Sequence, residues 1–88
     1  MHQIIDAVAK AAEVTADMIR RTRGGVLRRL SAWIGWNEGL ITLRSIAASL
    51  RMRSEGHISS LIRRCEREFG SEQVLLSWLD AAIATLRA

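Results

Sequence analysis

Residues 50–66 read LRMRSEGHISSLIRRCE, and their reading decides the fold. Apolar residues end one helical pattern at Ile46, Ala47 and Leu50. A second pattern begins at Ile58 and continues through Leu61, Ile62, Cys65 and Phe69. Both follow the three-and-four spacing of an amphipathic helix. Between them lies a short polar break in which Ser54 can accept from the next helix's first free amides. A short helix, a tight polar turn and a longer helix form the helix-turn-helix order. Ser54, Glu55, Gly56 and His57 open the second helix. They are small or polar, as residues that reach base edges in a major groove must be. Ser59, Ser60 and Arg63 continue that face, with Arg64 and Arg67 near it.

Upstream, residues 3–12 set Ile4, Ile5, Val8, Ala11 and Ala12 on one side. Thr15 can cap a short helix, Ala16–Arg20, with Met18 and Ile19 facing inward. The next residues, RRTRGG at 20–25, make a basic glycine-ended loop. Val26–Trp36 places Val26, Leu27, Leu30, Trp33 and Ile34 at helical spacing, with Arg28 and Arg29 off the stripe. Gly39 supplies the stop signal. Thr42 can cap a helix of about eight residues that buries Leu43, Ile46, Ala47 and Leu50. Downstream, Gly70 stops the 54–69 helix and Ser71 can cap a last one. That helix carries Val74, Leu75, Trp78, Leu79, Ala82, Ile83 and Leu86. The expected fold is all-α, a compact bundle of about six helices containing a helix-turn-helix, within a single domain, 1–88.

Composition agrees. Of 88 residues, 49% are apolar and none is proline, which argues against both disorder and a β fold. The single Cys65 excludes an internal disulfide, and its place on an apolar stripe points to core in a reducing cytosol. The longest uncharged run, Leu30–Asn37, is far short of the roughly 20 residues of a membrane span. The opening MHQIIDAVAK lacks a signal-peptide layout. Charge is uneven beneath the net +4. Residues 20–67 hold eleven arginines against three glutamates, a balance of +8, between two flanks of −2 each. Arginine's planar fork suits phosphates and guanine edges, so this block predicts a polyanion partner.

Across almost the whole chain the sequence resembles the C-terminal duplex-binding domain of the bacterial replication initiator DnaA. IIDAVAKAAEVTADMI resembles that family's opening helix and following segment. RRTRG stands at its basic loop, ITLRSIAASL at its Ser-Leu-Pro-Glu-Ile-Gly helix, and RRCERE at its Arg-Lys-Ile-Glu. SWLDAAIATLRA resembles its terminal helix. The resemblance implies that Arg20, Arg21 and Arg23 enter a minor groove and that the 53–57 region reads a major groove. The family's Gly-Arg-Asp-His-Thr-Thr signature is absent. Arg53 matches its arginine, while Ser54, Glu55, Gly56 and His57 replace the four residues after it. No Gly-x-x-x-x-Gly-Lys-Ser/Thr loop is present. These departures point to a reused reader with a different site, as in activators of the gene transfer agent and phage type.

The expected function is sequence-specific binding of double-stranded DNA by a transcription regulator at the nucleoid. Alternatives are the box-binding domain of a replication initiator and, in another class, a module docking an acidic protein. Expected contacts are Arg20, Arg21, Arg23 and Arg28 around the loop, and Thr42, Arg44 and Ser45 at the start of the fourth helix. To these add Arg53, Ser54, Glu55, Gly56, His57, Ser59, Ser60, Arg63 and Arg64. No catalytic, metal or cofactor set is expected. Asp6, Glu13 and Asp17 read as solvated charges, His2 and His57 complete no ligand set, and Ser59 and Ser60 beside His57 point apart. Trp33 reads as core beside a partly exposed Trp36. The last helix, 72–87, reads first as a lid over the core and is the best candidate for any dimer or protein contact.

Overall fold

The computed structural model describes residues 1–22, 25–52 and 54–88. Among them are six α-helices: α1 His2–Ala12, α2 Ala16–Arg21, α3 Val26–Asn37, α4 Leu43–Ser49, α5 Glu55–Glu68 and α6 Gln73–Arg87. The all-α expectation holds. Local capping explains three of the starts. Thr15 Oγ1 accepts from Met18 N at 3.2 Å, Thr42 Oγ1 from Ser45 N at 3.1 Å and Ser54 Oγ from Gly56 N at 3.1 Å. Each hydroxyl satisfies an amide that has no acceptor inside its helix.

Helix α3 lies at the centre. It packs on α1, α4 and α5, while α6 covers α1. Ile5, Val8, Leu30, Ile34, Ile46, Leu50, Ile58, Cys65 and Leu75 are fully buried in one continuous core. Gly35 permits the close approach of α4: a Cβ there would sit 3.3 Å from the Ile46 side chain. Trp33 meets Phe69 edge to face, ring centroids 5.0 Å apart, and joins α3 to the end of α5. Trp36, one turn further, is half exposed, as the sequence suggested.

Three expectations need correction. Arg28 and Arg29 are buried, each 6% exposed, because α3 is surrounded and has no free back. Met18 is 53% exposed; a six-residue helix buries one side chain, Ile19, and leaves its neighbour out. Ser71 does not cap α6. Glu72 holds the N-cap position without a side-chain bond, and Ser71 Oγ donates back to Glu68 O at 3.4 Å.

Candidate nucleic-acid interface

The geometry of α5 follows from its buried stripe. Ile58, Ile62 and Cys65 face the core, with Leu61 and Phe69 half buried beside them. The opposite side, at matching helical spacing, carries Gly56, Ser60, Arg63 and Arg67, with His57 and Arg64 next to them. All six are exposed. Ser59 and Ser54 are half buried at the edge of this face. A Cβ at Gly56 would meet Ser54 Oγ at 3.4 Å, ordinary contact, so packing does not demand glycine there.

The two acids near this face turn to one side and find donors. Glu55 lies 3.7 Å from the Arg44 guanidinium on α4, and both side chains are largely exposed. Glu66 accepts from Trp33 Nε1 at 3.3 Å. The outermost stripe of α5 is therefore cationic. Between it and α3 runs a cleft of about 270 Å³ lined by Trp36, Leu43, Ser59, Ile62, Arg63 and Glu66.

Thr42 and Ser45 are exposed, but their hydroxyls already bond one another at 3.1 Å at the start of α4. Arg44 extends beside them. Arg20 and Arg21, expected in the basic loop, form the last turn of α2 instead: Arg21 pairs with Asp17 at 2.9 Å and Arg20 Nη2 meets His2 Nδ1 at 3.2 Å. Exposed pairs of this kind are worth little and give way readily to a stronger anion. Arg23 and Arg53 lie outside the described residues.

Arg28 is not a surface contact. Its Nη2 donates to the carbonyl of Leu50, the residue that ends α4. Its neighbour Arg29 grips Glu68 with two parallel bonds, Nε to Oε1 at 2.6 Å and Nη2 to Oε2 at 2.8 Å. The two arginines thus fix the α4–α5 turn and the far end of α5 to one turn of α3. The bond from Arg29 holds the Glu68 carboxyl below its usual range. Burial pushes the Cys65 thiol up to about 12, with the Glu68 charge adding to it, so this cysteine is a packing residue rather than a nucleophile.

Arg44 reaches the expected α5 residues through Glu55, while Arg20 and Arg21 stand apart at the end of α2. Sequence reasoning missed Arg51, exposed in the turn. Its one visible sign was its place in the polar break between α4 and α5. Among the described residues no three His, Cys, Asp or Glu side chains gather as a metal site. None of the described helices is long and apolar enough to cross a membrane. Comparison with protein-family models, with curated proteins and with solved structures found no match.

Proposed function

We propose that this chain binds double-stranded DNA sequence-specifically and serves as the reading module of a transcription regulator. In this reading α4 and α5 act as a helix-turn-helix, with α5 in the major groove. The observation that carries it is the outer stripe of α5. Ser60, Arg63, Arg64 and Arg67 are exposed, while Glu55 and Glu66 turn aside to Arg44 and Trp33. An ordinary solvated helix mixes its charges; this one sorts them, within a segment of net +8. Arg63 can pair with a guanine edge, and Arg20, Arg21 and Arg44 can hold phosphates. The box-binding role of a replication initiator uses the same surface. It differs only in where the bound site lies in a genome.

A protein-docking role has its own support in Trp36, 46% exposed, and Leu40, 88% exposed, because protein interfaces favour such apolar anchors. Selection of bound duplexes from a random pool separates the two. A DNA reader enriches one sequence, and that duplex outcompetes its scrambled version by about 10³-fold or more at one salt concentration. Enrichment of no sequence would reject this function and leave the protein-docking role.

A further inference from the structure

The backbone at the end of α4 is costly for the residue it holds. Arg51 sits at φ 57°, in the left-handed region, where a Cβ crowds the following carbonyl and glycine is the usual choice. The hydrogen bonds identify the motif. Met52 N donates to Ala47 O at 2.8 Å and Arg51 N to Ala48 O at 3.2 Å, the paired closure that ends a helix around a left-handed residue. That closure leaves the Leu50 carbonyl without a helical donor. The buried Arg28 guanidinium supplies one. The turn is held from beneath, so a residue other than glycine is kept in a conformation it disfavours.

We infer that the Arg51 side chain is a DNA contact, and that it binds a backbone phosphate beside the groove occupied by α5. This rests on the duplex-binding reading above. Three observations support it. Strain of this kind concentrates at functional positions. The Arg51 side chain is exposed, immediately before the segment that leads into α5. Its planar guanidinium fork suits phosphate oxygens, so less freedom is lost for each hydrogen bond formed. The conformation itself does not call for arginine, since Glu13 and Leu40 are left-handed as well, at φ 58° and 52°.

The test is one substitution read in two directions. Arg51→Gly removes both the strain and the guanidinium. Its thermal midpoint should rise by roughly 4 °C or more. Its affinity for the selected duplex should fall on the order of tenfold, with the salt slope reduced by about 0.9. Arg51→Lys keeps the charge and the strain. It should bind within a few-fold of wild type and show no rise in midpoint. A stabilised Arg51→Gly that binds like wild type would overturn the contact. A destabilised Arg51→Gly would overturn the strain from which it is argued. If the unaltered chain selects no duplex, the duplex-binding reading falls and this inference with it, an outcome seen before any variant is made.

Discussion

At the scale of single residues, the Arg29–Glu68 pair shows what buried charge does here. Its two short bonds tie the central helix to the end of α5, with Arg29 7% and Glu68 23% exposed. Arg29→Met takes two donors from a part-buried carboxylate, and Glu68→Gln takes the opposite charge from a buried guanidinium. Each should lower stability, the first by about 3 kcal/mol and the second by somewhat less. Replacing both with methionine should cost less than the two single changes together. Urea unfolding of the three variants checks this. The pair also sets a pH dependence. Glu68 is held ionised in the fold by Arg29, so its folded pKa lies below its unfolded value. Its contribution is present above the unfolded value of about 4.3 and fades as pH falls through the folded one. The stability gap between the wild type and Glu68→Gln should therefore persist from neutral pH to about pH 5. It should close in stronger acid. A gap independent of pH would place the effect elsewhere.

At the scale of elements, capping and helix lengths were legible and orientation was only partly so. Thr15, Thr42 and Ser54 act on amides two or three residues away, and such local chemistry is written in the sequence. The burial of Arg28 and Arg29 is not local. It depends on α3 being the helix that others surround, and spacing along α3 cannot say which helix takes the centre. The strained Arg51 was invisible for a related reason, since its conformation is set by a closure that only a tertiary donor, Arg28, completes. The α5 face was legible because its core stripe is strong. Its sorting of charge was not, since it required knowing that Arg44 and Trp33 stand on one side. Under the proposed duplex binding, that sorting has a consequence for specificity. Glu55→Ala frees Arg44 and removes a charge that repels phosphate, so affinity for scrambled duplex should rise more than affinity for the selected one. Arg63→Ala should lose about 1–3 kcal/mol of discrimination at one base pair. If both variants keep the wild-type ratio of specific to non-specific affinity, α5 is not the reader.

At the scale of the whole molecule, the described residues measure 28 × 26 × 23 Å and share one core. The arginine-rich middle of the chain builds α3 to α5. The two acidic flanks meet where α6 lies on α1. Charge therefore differs from one side to the other, and α6, with Val74 and Leu76 exposed, belongs to the acidic side. Trp78 on α6 is half buried, so Trp78→Ala should cost about 3 kcal/mol, near the low end for a lost tryptophan. The pairing of first helix with last also has a kinetic meaning. Ile4 meets the same cavity wall as Ile83 and Leu86, across nearly the whole length of the chain. During synthesis, α1 emerges long before α6 exists to cover it. The part of its apolar face that α2 and α3 leave open stays in water, or against a chaperone, until residues 73–87 have been made. A chain ended at Gly70 imitates that waiting state. It should keep helical circular dichroism, bind a hydrophobic dye and unfold without a sharp transition, whereas the full chain melts cooperatively. The domain thus becomes whole in one late step, and shortly before that step it is most exposed to proteases and to its own neighbours.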